Sequence, residues 1–175
     1  RRVKPPMPVL RTLSGRCIAQ TVRELFLSAN TVLPSDVLTA LERARERETA
    51  DLGGYVLERI LENARVAHEE GMPLCQDTGL AVVFLELGQA VHVTDGDLEG
   101  AVQEGVRQAY RDGCLRKSVC DPLSRVNTGD NTPAVLHIEI VPGDRLRITV
   151  LPKGGGSENM SGVAMLMPAE GEAVI

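Results

Sequence analysis

The sequence predicts an α+β fold in which N-terminal helices pack on a small, mostly antiparallel sheet with a β-hairpin in the C-terminal half. Two patterns carry that expectation. Apolar residues recur at helical spacing up to Gly71 and again from Leu98 to Ala109, and they alternate with polar residues from Ala134 to Val150. Helices come first and paired strands later, which fits α+β better than repeated βαβ units.

The elements follow in chain order. Ile18, Val22, Leu25 and Phe26 mark one face of a first helix from Ser14 to about Ser28, with Ser14 able to cap it. Leu33-Pro34-Ser35-Asp36 starts a second helix with Val37, Leu38, Leu41 and Ala44 as its stripe, before a charged ERARERE stretch that reads as a solvated face. Gly53-Gly54 begins or interrupts a third, in which Leu57, Ile60, Leu61, Ala64 and Ala67 share a face and Gly71 is the stop signal. Leu80 to Leu87 is a short apolar run rich in Val and Phe, the pattern of a buried strand. Thr94 and Asp97 have capping-box spacing ahead of Leu98, Ala101, Val102, Gly105, Val106 and Ala109. Finally Ala134, Leu136, Ile138 and Ile140 alternate with His137 and Glu139, Pro142-Gly143-Asp144 turns the chain, and Leu146, Ile148 and Val150 alternate again as the second arm of the hairpin.

Composition narrows the class. With 175 residues, 43% hydrophobic and 25% charged, the chain has the size and balance of one globular domain with its own core. Aromatics are few and Trp is absent, so the core is aliphatic and there is little surface on which to stack bases. A net charge of −5 argues against a nucleic-acid partner, whose phosphates call for clustered Lys and Arg. No apolar run approaches the roughly 20 residues of a membrane span, and the basic start from Arg1 to Pro8 lacks the apolar core of a leader, so a cytoplasmic location without a membrane partner is expected. Cys17, Cys75, Cys114 and Cys120 are too widely spaced for a CxxC pair and are expected to be reduced. The chain starts at Arg1 without Met and stops at Ala173-Val174-Ile175 after a loop, so both ends are expected to be cuts.

Three polar, Gly- or Pro-containing segments lie between the elements, the places where sites are commonly built. Pro73-Leu74-Cys75-Gln76-Asp77-Thr78-Gly79 sets a thiol, an amide and a carboxylate side by side, although a lone cysteine in such a place is by itself more often inert. Leu115-Arg116-Lys117-Ser118, Asp121-Pro122-Leu123-Ser124-Arg125 and Asn127-Thr128-Gly129-Asp130-Asn131-Thr132-Pro133 follow. Arginine there suits a carboxylate, and surface ion pairing is the plainer alternative. Lys153-Gly154-Gly155-Gly156-Ser157-Glu158-Asn159 offers unobstructed backbone N–H groups, either for an anion or simply as a flexible turn. It is not a Walker loop, because the lysine precedes the glycines.

Taken together and in this order, PLCQDTG, LRKS…DPL…R…NTGDNTP and KGGGSEN resemble the class I fumarase and tartrate dehydratase family, from about residue 16 to Ile175. The resemblance implies a hydro-lyase that adds or removes water at a small dicarboxylate, with fumarate and malate preferred over tartrate. It also implies a [4Fe–4S] cluster held by three thiolates, one iron being left open to substrate as a Lewis acid. Cys75 aligns with the first ligand. Asp77 would handle the proton of the water, Gln76 would hydrogen-bond substrate, and Arg116 would bind a carboxylate with backbone donors from Gly154, Gly155 and Gly156. Lys153 and Asn131 are weaker assignments, as loop organisers.

The other two cluster cysteines of the family would lie after Ile175, and Cys17, Cys114 and Cys120 do not match their motifs. The chain is therefore expected to be the N-terminal portion of the catalytic domain, without a cluster and inactive alone. A β subunit or C-terminal domain would complete it, and a homodimer is implied by the family. His68, His92 and His137 have no metal-site spacing and read as structural. Two other classes remain open: a non-catalytic assembly domain, and an anion-binding module using the glycine loop.

Overall fold

A computed structural model of the chain describes residues 10–156 and 160–167. The Arg1–Pro8 start, the Ser157-Glu158-Asn159 part of the glycine segment and the Ala173–Ile175 end lie outside the described residues. The elements, in order, are β1 (Arg11–Ser14), α1 (Gly15–Thr31), α2 (Ser35–Arg47), α3 (Asp51–Glu70), β2 (Leu80–Gly88), β3 (Val91–Thr94), α4 (Leu98–Asp112), β4 (Val135–Val141) and β5 (Leu146–Lys153). The class is α+β, with the helices largely ahead of a small mixed sheet.

The caps explain where the helices start and stop. Ser14 Oγ accepts from Arg16 N at 3.2 Å and opens α1. Gly71, with φ +64°, ends α3 in the left-handed region that glycine enters without a Cβ penalty. The cap of α4 differs from the expected Thr94–Asp97 box. Thr94 is paired with Ser14 in the β1–β3 ladder and so stays extended, and Asp97 caps the helix itself by accepting from Gly100 N at 2.7 Å.

The core lies between α1, α4 and one face of the sheet. Ile18, Val22 and Phe26 from α1 meet Val102, Val106, Ala109 and Tyr110 from α4, over Ala81, Val83 and Leu85 of β2. Arg23 Nε ties the two helices at their rim by donating to Asp112 Oδ2 at 2.7 Å. The hydrogen bonds of Arg23, and then of Arg111, hold the Asp112 carboxyl below the usual carboxylate range. The helices α2 and α3 pack on one another and lie to the side of this core, which leaves α2 without a buried residue although its apolar stripe predicts a core face.

The strands and the turn fall where the alternation puts them, but the expected hairpin is open. Its arms do not pair with each other, because β2 runs between them in the order β4-β2-β5. It is parallel to β4, with Val83 opposite Leu136, and antiparallel to β5, with Leu80 opposite Lys153. The Pro142–Arg145 connection passes over the end of β2. There Gly88 N donates to Arg145 O at 2.8 Å, and Gln89 N and Ala90 N donate to Val141 O and Gly143 O, each at 2.9 Å. A sheet that is mixed rather than mostly antiparallel results.

Alternation predicts one buried face for Leu136, Ile138 and Ile140. Leu136 does pack against the core, but Ile138 and Ile140 are 52% and 67% exposed. The helices lie over β2 and β5, and β4 is an edge strand beyond their cover. Two short strands, β1 and β3, form a separate parallel pair that the sequence does not announce.

The crossover gives a direct test. A Cβ on Gly88 would stand 2.6 Å from Gly143 O and 2.8 Å from Arg145 N, and this is backbone that cannot swing aside. Gly88→Ala is expected to cost about 1–3 kcal/mol through overpacking, read as a lower urea midpoint with the denaturant slope unchanged.

Candidate active site

The sheet topology gathers the three loops. β2 and β4 begin, and β5 ends, at the same edge of the sheet, because β4 is parallel and β5 antiparallel to β2. The segment before β2 (Cys75–Gly79), the segment before β4 (Arg116–Asn131) and the segment after β5 (Gly154–Gly156) therefore meet there.

The first loop is pinned at its base. Leu74 N donates to Asn30 O at 2.8 Å, and Asn63 Nδ2 donates to Leu74 O at 2.9 Å. Beyond that anchor Cys75 and Gln76 are exposed, Asp77 is half-buried, and Thr78 and Gly79 are buried. The Asp77 carboxylate is held from two loops: Oδ1 accepts from Gly79 N and Oδ2 from Gly155 N, each at 3.1 Å. Gly79 needs its missing side chain twice over. Its φ is +70°, and a Cβ would lie 2.3 Å from the Lys153 carbonyl carbon.

The second loop joins through main chain and one amide. Thr78 Oγ1 donates to Arg116 O at 2.9 Å. Asn131, fully buried with φ +63°, accepts at Oδ1 from Ser118 N at 2.6 Å and Val119 N at 3.1 Å. Its Nδ2 donates to Gly79 O at 3.1 Å. One amide thus bonds both ends of the second loop and the first loop. The Arg116 side chain is exposed and has no salt-bridge partner among the described residues. The stretch between folds back on itself through a Cys120–Asn127 bridge, and Asp121 organises its turn. Hydrogen bonds from the Ser124 backbone and hydroxyl, then from Leu123 N, hold the Asp121 carboxyl below its ordinary range.

In the third loop Lys153 Nζ donates to Gly154 O at 2.6 Å, and the Gly155 N–H goes to Asp77 rather than to open space. Among the described residues, nothing lies within 4 Å of where a Cβ on Gly155 or Gly156 would be.

Beneath the loops lies Tyr110, one position past the apolar stripe of α4 that the sequence marks and fully buried. Its hydroxyl donates to Thr78 O at 2.8 Å and to Gly79 O at 3.3 Å. Burial first, and the nearby Asp77 charge second, push its phenol well above the ordinary range against a smaller opposing effect of the Asn131 amide, so it stays a protonated donor. A signal exists in the sequence. A tyrosine on the core face of an aliphatic helix brings a hydroxyl that must find an acceptor when buried.

Comparison with known proteins decides the family. The family model described as Fumarate hydratase (Fumerase) matches residues 19–175. The chain belongs to the class I fumarate hydratase and L(+)-tartrate dehydratase family. It is 40% identical over 161 residues to the putative L(+)-tartrate dehydratase subunit alpha of Methanocaldococcus jannaschii, an alignment covering 88% of this chain and 56% of that one. It is 36% identical over 141 residues to the aerobic class I fumarate hydratase of Escherichia coli strain K12, covering 78% of this chain and 26% of the relative. The L(+)-tartrate dehydratase subunit alpha of Escherichia coli strain UTI89 is 28% identical over 158 residues, with 88% and 52% covered. The chain thus spans about half the length of these α subunits and about a quarter of that fumarase.

Class I fumarases use a [4Fe–4S] cluster, and the donors present can be weighed against it. Cys75 is exposed beside Asp77 and is a soft thiolate donor of the type iron–sulfur clusters take. It fits as one ligand. Cys17, Cys114 and Cys120 are exposed too, yet among the described residues no three His, Cys, Asp or Glu gather as a metal-binding group. A full ligand set is not assembled by these residues.

The Asn131 amide offers the second test. Asn131→Ala removes three hydrogen bonds at a fully buried position and places a β-carbon without a side-chain partner in the left-handed region. It is expected to destabilise the fold by roughly 2–4 kcal/mol, measured by thermal or urea unfolding. Asn131→Asp, which keeps the acceptor and loses the donor, is expected to fall between Ala and wild type.

Proposed function

We propose that this chain forms the Cys75–Asp77 side of the active site of an iron–sulfur hydro-lyase that reversibly hydrates fumarate to malate. The observation that carries the reading is the Asp77 carboxylate, held by N–H groups from two separate loops and two residues along the chain from the exposed Cys75. A carboxylate fixed in this way keeps one orientation without a bulky neighbour, which a proton-transfer group requires.

The residues divide the work by chemistry. A [4Fe–4S] cluster bound in part by Cys75, with its other thiolates supplied from outside the described residues, would supply Lewis acidity toward the substrate hydroxyl. Asp77 accepts or returns the proton of the water at its carboxylate oxygens, which Gly79 N and Gly155 N hold in place. Arg116, exposed at the start of the second loop, presents a planar fork to a substrate carboxylate. Gln76 donates its amide to substrate, and Lys153 holds the glycine loop through Gly154 O. Gly155 N is bound to Asp77, so the backbone donors this loop would offer substrate are the N–H groups of Gly154 and Gly156, which have no partner among the described residues.

Tartrate is the second reading, favoured by the 40% identity to a relative named as a putative tartrate dehydratase α subunit. The substrates differ by one hydroxyl, and the pocket wall that meets it decides between them. We also infer a complementary β subunit or C-terminal domain, a homodimeric arrangement and a cytoplasmic location. Among the described residues no helix is long and apolar enough to cross a membrane.

The test uses the complete enzyme, reconstituted anaerobically with iron and sulfide. Asp77→Asn is expected to lower kcat by about 100-fold or more with the cluster's visible absorption intact. Cys75→Ala is expected to remove both absorption and activity. Full activity in Cys75→Ala would support a non-catalytic assembly role and overturn the hydro-lyase reading of this face. Hydration of fumarate compared with dehydration of malate and of L(+)-tartrate separates the two substrate readings.

A further inference from the structure

We propose that Tyr110 is a positioning residue for Asp77: its buried hydroxyl fixes the Thr78–Gly79 peptide plane so that the Gly79 N–H points at the carboxylate. The inference rests on the reading of Asp77 as the proton-handling group.

In a trans peptide the C=O and the N–H point in opposite directions. Tyr110 Oη donates to Thr78 O from the core side at 2.8 Å. The N–H on the other end of that same peptide, that of Gly79, must then face outward, where it donates to Asp77 Oδ1 at 3.1 Å. A short loop with a glycine at φ +70° is open to peptide rotation, because glycine occupies both signs of φ at little cost. Rotation of the plane would strip Thr78 O of its donor inside the protein and would cost on the order of 1–3 kcal/mol. Tyr110 therefore locks the orientation that Asp77 uses.

Packing alone does not call for the hydroxyl. The ring lies 6.1 Å from that of Phe26 in a tilted arrangement and fills the core as a phenylalanine would. Its oxygen is buried beneath the loop, where it would carry a desolvation penalty without the carbonyls. The Asn131 amide backs the arrangement by donating to Gly79 O, so the two successive carbonyls are both turned inward. Asp77 also accepts from Gly155 N of the glycine loop, and of its two donors the Gly79 N–H is the one whose peptide is bonded to the core.

Tyr110→Phe in the full-length enzyme tests this with two readouts. Amide hydrogen exchange at Gly79 is expected to accelerate by about tenfold or more, while exchange in β2 at Val83 and Leu85 stays as in wild type. In the reconstituted enzyme kcat is expected to fall by about 10- to 100-fold, with KM changed by less than about twofold. Unchanged Gly79 exchange would overturn the proposal whatever the activity. Faster Gly79 exchange with kcat intact would overturn it as a statement about catalysis, and Asp77→Asn then tells whether Asp77 itself was misassigned. Should Tyr110→Phe fail to fold, 3-fluorotyrosine at position 110 keeps the ring and strengthens the donor. Slower Gly79 exchange is expected there, and no change would overturn the anchoring.

Discussion

A buried carbonyl needs a donor, and at Thr78 and Gly79 the chain turns two successive carbonyls away from water at once. Tyr110 from α4 and Asn131 from the segment before β4 supply the donors, so the first loop is bonded to two parts of the chain more than 30 residues away. The rest of the site follows from this knot. It sets the Gly79 N–H toward Asp77, it holds the second loop through the other end of the Asn131 amide, and it needs a glycine at Gly79 because Lys153 passes 2.3 Å from where a Cβ would be.

Sheet topology makes the knot possible. In a closed hairpin of β4 and β5 the glycine loop would lie next to Asn131, and the Cys75–Gly79 loop could adjoin only an outer strand. With β2 between the arms, the loop that precedes it has one neighbour on each side, Asn131 through β4 and Gly154–Gly156 through β5. The Pro142–Arg145 crossover and Gly88 at the far end of β2 keep the arms apart. A packing feature distant from the site thus decides which loops meet at it.

Much of this was legible in the sequence, and the limits have physical causes. Periodicity located α1, α3, α4, β4 and β5, and a short apolar run located β2, because the pattern of apolar residues records the element type whether or not the whole face is covered. It could not give the β4-β2-β5 order, since alternation states which side of a strand is apolar and not which strand lies beside it. For the same reason it overstated the burial of α2 and of Ile138 and Ile140, whose apolar faces are real but lie beyond the cover of α1 and α4. The strands β1 and β3, of four residues each, are too short and too half-exposed to leave a pattern. Motif reading singled out Cys75, Asp77, Asn131 and the glycine segment by their likeness to a family. It passed over Tyr110, whose hydroxyl has no motif and whose ring looks like core.

The knot also separates two demands that usually conflict at a site. The backbone of the first loop has its polar groups satisfied from below by Tyr110 and Asn131, so its conformation does not depend on what lies above it. Cys75, Gln76 and Arg116 are exposed, and among the described residues their side chains have no hydrogen-bond or ion-pair partner. Under the proposed function, substitutions among the upper groups would alter what is bound while the platform stays intact. Relatives named for fumarate and for tartrate align with this same stretch of chain. Under the proposed function the choice of dicarboxylate would fall to contacts above Asp77, while the bonds that set the Gly79 N–H toward its carboxylate come from the core beneath it.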